Sequence, residues 1–453
     1  MAHKVMGSKP EAACVKRLGA AAAAVLLRVL RLPVEAAVYA ARYAAGKWKA
    51  MASSDAMADK AAVPSIDTAA VAALVKEWRK LERAQPAVQP QSVDKASSGL
   101  NDEDRALIAH IQEETLRLNR NNVTRTAAYY ALYERCPELH WALLAHLVSR
   151  NGGWNMTDLK GEWLPRLLSE SKRTDVFRFL ERANRLIFGD AYPQLLLYEH
   201  SVRLRRPLFH LLPALGVTRF MLPVWEQFWQ SRDSAILTVA LIVNEQHFIE
   251  QRVVANPFYR KRVIDTLFFG MQSLLQLNAV LLPYARGREP GQMKLAGLII
   301  ERFSSLRERI EFGKRLYAVL FGVPAVAAGV RSFAATVRHT GSRADYAPQL
   351  FTRIRHGLPE KPYNERLKGG QLKPGAVPPY SPELSAAWPD TPGDPPEPGD
   401  WFVGAAAVAP YFAQLPLPST FEMTNEYGFL LDKLELAAAA SHRALAAEDD
   451  ETS

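Results

Sequence analysis

The residues best suited to chemistry in this 453-residue chain gather in two stretches. In AHLVSRNGGWNMTDLKGEW, His146 and Arg150 stand four apart, the spacing of one helix face. They lead into a Gly152-Gly153 pair that presents Asn151, Trp154, Asn155 and Asp158. A helix end, a glycine loop and a new N-cap together gather side chains and unpaired backbone N–H groups, the raw material of an anion or small-molecule site. A rigid helix–loop–helix corner explains the same residues more simply, with Asn155 or Thr157 capping and Trp154 in the core. Arg125, in NVTRT, is placed to buttress that corner through a carboxylate such as Asp158.

The second stretch, Asp233 to Ala255, reads as a helix that is apolar almost all round and therefore the most deeply buried one. It carries Asn244, His247 and Gln251 on one face, with Glu245 and Glu250 on neighbouring faces. Polar groups on such a helix must find partners or water. One use is a metal-assisted or acid–base site in a bundle core, where His146, His200, Glu245 and His247 converge and Glu199 and Glu226 add donors. No Glu-x-x-His or His-x-x-x-His pair occurs, so no metal ligands are assigned and no cofactor is expected. A structural network holding helices in register is the simpler account. His110 with Glu114, and ERFSSLRERIEFGKR, read as solvated faces. HTGSRADY reads as a turn pinned by an Arg–Asp pair among Ser342, Arg343 and Asp345.

The elements that must hold these residues are helices. Asn101 is an N-cap with Asp104 three positions on, and Thr124 caps RTAAYYALYER. ELHWALLAHLVSR ends at Gly152-Gly153, Asp175 to Phe188 ends at Gly189, and Thr157 and Thr174 cap two more. Asn256-Pro257 opens a helix toward Pro283, and Gln292 to Tyr317 is a long charged one. No run of alternating β-branched residues is bounded by turns, so the class is all-α: a multi-helix globular bundle. Twelve of the 30 prolines fall between Ala347 and Gly399, among Tyr363, Tyr380, Trp388, Trp401 and Phe402. That composition predicts a Pro-rich extended C-terminal arm pinned to the bundle by its aromatics. The chain thus divides into basic amphipathic helices (1–51), a linker with one short helix (52–100), a helical core (101–338), the arm (339–402), a segment with a last helix (403–447) and an acidic tail (448–453).

Charge is distributed unevenly. Seven of the nine net positive charges lie in the first 51 residues. There Arg17, Arg28, Arg31, Arg42 and Lys49 form a narrow cationic stripe on an Ala-rich helical surface broken at Pro33. With Trp48 at its end, the segment suits an anionic membrane surface, arginine stems snorkelling toward head groups. Packing on the protein's own core, a partner protein and a secretory signal peptide are the other readings of it. The uncharged run Leu18 to Leu27 is half the roughly 20 residues a membrane span needs. Ala318 to Val330 is also too short, is interrupted by Pro324, and reads as a buried helix. Cys14 and Cys136 cannot frame a disulfide scaffold, which suits a reducing compartment. No nucleotide-loop or nucleophile-elbow motif is present, and the near-neutral body argues against nucleic acid as a partner.

NNVTRTAAYYALYERCPELHWALLAHLVSRNGGWNMTDLKGEW, LIVNEQHFIEQRV, HTGSRADY and the YSPEL…AW…DWF series together resemble the YppC-like bacterial family, domain of unknown function 2515, over roughly residues 100 to 435. The resemblance implies a bacterial, intracellular setting and assigns no catalytic residues. The expectation is a cytoplasmic, non-enzymatic binding or scaffold protein held peripherally at the inner membrane face through residues 1–51, with a protein partner in view. The alternative is an enzyme with a polar, metal-assisted site inside the helical core.

Overall fold

The computed structural model describes residues 37–84, 100–265, 278–287, 291–357, 363–391 and 399–451. Residues 37–58 are helical (α1), and their buried positions Gly46, Ala50 and Ser54 recur at helical spacing. That face docks on the C-terminal helix: Tyr39 and Tyr43 set their rings edge-on to Phe429, and Lys47 pairs with Glu426 at 2.7 Å. Ser54 Oγ accepts the N–H groups of Phe421 and Glu422, both at 3.0 Å. Helix α2, Thr68–Ala84, is the one short helix expected within the 52–100 stretch, and it buries Leu74 and Trp78 in the main core. The Trp78 indole N–H donates to the Phe220 carbonyl.

Local capping starts most of the body's helices. Asn101 accepts from the Asp104 N–H at 2.7 Å and begins α3, Asp102–Leu118. Asn121 and Thr124 form a reciprocal capping box for α4, Asn122–Arg135, so the cap lies three residues before Thr124. Helix α5, His140–Asp158, runs through Gly152-Gly153 without interruption. The expected corner is therefore absent, Thr157 is an interior residue, and Asn151 to Asp158 sit on helix faces. Ser169, rather than Thr174, caps α6, Glu170–Leu204, which continues past Gly189 and contains Pro193. Met221–Ser231 (α7) precedes α8, Ser234–Ile249, capped by Asp233 and buried on nearly every side.

A π-helical turn, Glu250–Val254, and the Asn256-capped turn follow α8. Residues of β1 (Ala279–Arg286) and β2 (Met293–Ile299) pair as an antiparallel hairpin, where the end of one expected helix and the start of the one expected from Gln292 would have fallen. Its strands are rich in Leu and Ala rather than β-branched residues. Pro283 sits where the register shifts, a position that spares the ladder a missing N–H. Residues 421–423 lie along β2, with Gly297 N–H on the Phe421 carbonyl and Met423 N–H on that of Leu295. Helices α9, Leu306–Gly322, and α10, Pro324–Thr336, meet at 91° with Pro324 in the first turn. At Gly329 a Cβ would fall 1.5 Å from the Tyr284 carbonyl oxygen, so only glycine lets β1 cross α10 this closely. Among the described residues, no single helix is long and apolar enough to cross a membrane.

Beyond α10 the described chain is mostly irregular. A two-residue ladder, β3 (Leu367–Lys368) with β4 (Gln371–Leu372), and short turns precede helix α11, Thr424–Glu451. Trp388 stacks on Phe177 and donates to the Met156 carbonyl, while Trp401 stacks on His247. The fold is helical and globular with two small strand pairs.

Candidate functional site

Helices α4, α5, α6, α8 and α9 and the base of the hairpin surround a pocket of about 260 Å³. Most of its wall is apolar: Tyr129 and Trp141, then Leu144, Phe179, Ile242 and Phe312 are representative. Small residues keep it open, among them Ala145 and Gly152 on α5, Ala183 on α6 and Gly313 on α9. The polar groups are few. They are Arg125, Ser149, Asn151, Asn155, Asn184, Glu245, Gln246, Asn278 and Arg309.

Both arginines are already neutralised. Arg125 is buried and forks onto Glu181, with Nη1 2.9 Å from Oε1 and Nη2 2.5 Å from Oε2. Arg309 pairs with Glu250, donates to Gln246 Oε1 at 2.8 Å and to the Phe303 carbonyl at 2.7 Å. Glu245 is different: it makes no ion pair among the described residues, and Gln246 donates to its Oε1 at 3.1 Å. Burial drives its carboxyl up to about 7, against hydrogen bonds from Gln246 and Trp141; the nearby Asp190 charge adds to the rise. The Asn155 side-chain amide has no hydrogen-bond partner among the described residues.

Of the residues expected to form a site, Arg125, Asn151, Asn155 and Glu245 line this pocket. The others lie outside it. His146 donates its Nδ1–H to the Thr126 carbonyl, and its pKa falls to about 3 because it is buried. Arg150 donates to the Val337 and Arg338 carbonyls and lies over the Phe333 ring. Trp154 packs among Tyr346, Tyr427 and Arg343. Asp158 pairs with Arg343, and Arg125 with Glu181, so the expected Arg125–Asp158 contact is not formed. Asn244 bridges Asp190 and Trp401. His200 meets His110 edge-on and accepts from Arg203. Among the described residues no three His, Cys, Asp or Glu side chains come together as a metal would require, so His146, His200, Glu245 and His247 do not form a metal site there.

Asn151 lines the pocket while splinting it. Its Oδ1 accepts the Leu281 N–H at 2.9 Å and its Nδ2 donates to the Leu281 carbonyl at 3.0 Å, fixing β1 against α5. Phe179, Asn184, Gln246, Asn278, Phe303 and Arg309 complete the wall without having been expected there. Arg309 stood in a stretch read as a solvated face, yet it is nearly fully buried. The one available signal was that a helix as apolar as α8 needs polar neighbours for Glu245 and Gln246.

Of the membrane-surface set, Arg17, Arg28 and Arg31 lie outside the described residues. Arg42 lies against Gly369, and Trp48 and Lys49 are exposed on α1.

The profile of a family described as "Protein of unknown function (DUF2515)" matches residues 117–428. The "Uncharacterized protein YppC" of Bacillus subtilis (strain 168) is 44% identical over 241 residues, 53% of this chain and 73% of that protein. No solved structure matches the chain.

Proposed function

The chain belongs to the DUF2515 family of proteins of unknown function, and from that premise we propose that it is a binding protein whose helical body encloses a small, largely apolar molecule. The supporting observation is the pocket itself: about 260 Å³ of space, apolar walls and a few fixed polar groups. Ligand sites have this composition, with apolar surface supplying affinity and sparse polar groups supplying orientation. For scale, an apolar cavity of about 150 Å³ accepts benzene. Isothermal titration with 1-octanol tests the reading, using the full chain and an Ala183→Phe variant that fills the pocket from α6. Saturable binding to the wild type, lost in Ala183→Phe, is expected. Absence of binding, or equal binding by the variant, overturns the proposal.

A second reading concerns location: attachment at an anionic membrane surface through the N-terminal segment. Trp48 and Met51 are exposed on α1 near Lys49, and Val38 is exposed about three turns earlier, while another face is spent on packing. Exposed aromatic and aliphatic groups next to cations suit a lipid interface. Co-sedimentation of the full chain with anionic vesicles, released by salt and lost in Trp48→Ala/Lys49→Glu, is the expected result. Equal pelleting with neutral vesicles, or none with anionic ones, counts against it.

A further inference from the structure

We propose that the pocket's occupant is an organic cation, a protonated amine carried on an apolar body. This deepens the binding reading above and rests on it.

Charge makes the selection. The two guanidinium groups on the wall are each committed, Arg125 to Glu181 and Arg309 to Glu250. Neither offers its charge to a guest without breaking a pair that is partly or wholly removed from water, a costly exchange. Glu245 is the remaining ionisable carboxyl of the wall and has no ion-pair partner among the described residues. The wall therefore carries one acid in excess over its paired charges.

An anionic guest would bring a second negative charge beside that acid, where both described arginines of the wall are already ion-paired. A neutral guest would fill the apolar space but leave the acid unmatched. A protonated amine supplies the missing positive charge and a charge-assisted hydrogen bond, about twice as strong as a neutral one.

The aromatic wall adds to the preference. Trp141 and Tyr129 both line the pocket and act on the Glu245 carboxyl. Ring faces beside a carboxylate attract ammonium groups through their quadrupoles. Asn155, on the same wall, holds an uncommitted amide oxygen for a further N–H. The apolar stretch from Leu144 to Ile187 and Phe312 takes the guest's hydrocarbon body.

The experiment compares octylamine, 1-octanol and octanoate by titration calorimetry at pH 8, above the value of about 7 to which burial raises Glu245, and at one ionic strength, against wild type and Glu245→Gln. Octylamine should bind roughly tenfold or more tightly than octanol, the worth of one charge-assisted contact, and octanoate should be weakest. In Glu245→Gln, octylamine should fall to the level of octanol, which still binds saturably. That second probe shows the variant's pocket to be intact. If octanol or octanoate matches octylamine in the wild type, or if octylamine is indifferent to Glu245→Gln, the cation proposal is overturned while the pocket reading stands. If none of the three binds, both fall.

Discussion

Arg343 and Asp158 stand 185 residues apart in sequence, yet the guanidinium places Nε and Nη2 each 2.7 Å from the same carboxylate oxygen, Oδ2. The pair joins the end of α5 to the turn after α10. Arg343 also donates to the Tyr427 hydroxyl and lies over the Trp154 ring, so α11 is drawn into the same cluster. Removing one member leaves the other charged and out of water. Arg343→Met and Asp158→Asn should therefore each lower stability by about 3–5 kcal/mol. Urea unfolding of both singles and the double mutant checks this, and the double should cost clearly less than the sum.

The two glycines of α5 should respond oppositely to alanine. At Gly153 a Cβ would stand 2.6 Å from Asn122 Oδ1 and 2.7 Å from His339 Cε1, inside a buried contact. Overpacking of that kind costs about 1–3 kcal/mol, more than the roughly 1 kcal/mol that alanine gains in helix propensity. At Gly152 the nearest atom, Asn184 Oδ1, is 3.6 Å away, an ordinary contact. Gly152→Ala should thus stabilise by about 0.5–1 kcal/mol and Gly153→Ala should destabilise, in parallel thermal melts.

That contrast also explains what the sequence concealed. Asn101 was legible as a cap and Asn256-Pro257 as a helix opening because capping is settled within three or four residues. Gly152-Gly153 and Gly189 looked like helix ends by the same local logic, but the helices run on and pack around them. For Gly153 the governing fact is His339, 186 residues away and invisible to any local window. The hairpin was missed because its Leu- and Ala-rich strands take their conformation from α5, α10 and residues 421–423, not from β-propensity. At the site, Glu245 stood out as an acid on an apolar helix. Its companions Arg309, Asn184 and Phe303 come from distant segments, and nothing local marks them.

Glu245 should leave a trace in stability against pH. Its carboxyl is raised from 4.5 to about 7 in the folded chain, so between those values the native state holds a proton that the unfolded state has released. Stability from this group therefore falls as pH rises through that window and is level above it. Its surroundings are Asp190 from α6, Trp141 from α5, Tyr129 from α4, and the paired Arg125 and Arg309. Neutral buried imidazoles act in the opposite sense: His140 and His247, held near 4, and His146, near 3, withdraw stability as pH drops below 6.5. The whole-protein curve mixes these trends, whereas the difference between wild type and Glu245→Gln isolates one. Unfolding free energies at pH 5, 6, 7 and 8 should show the wild type losing ground to the variant up to about pH 7 and no further. A constant difference across the series would remove Glu245 from the account.

Asp190 offers the sharpest separation between a charge and a shape. Trp225 donates to Gln194 Oε1 at 2.9 Å, Gln194 to Asp190 Oδ2 at 3.1 Å, Asn244 to the same oxygen, and Trp401 to Asn244 Oδ1 at 2.9 Å. Both amides pass their donors inward, so Asp190 is the acceptor at which the chain closes, and one oxygen receives both bonds. Burial raises its carboxyl to about 7. Asparagine keeps an oxygen in the accepting position and removes the desolvated charge. Asp190→Asn should accordingly be near neutral at pH 6 and stabilising at pH 8. Asn244→Leu instead strands the Trp401 N–H and one Asp190 contact, and should cost about 1–3 kcal/mol at either pH. Chemical denaturation of the two variants at both pH values decides the matter: if Asp190→Asn destabilises as much as Asn244→Leu at pH 8, the network depends on the charge itself.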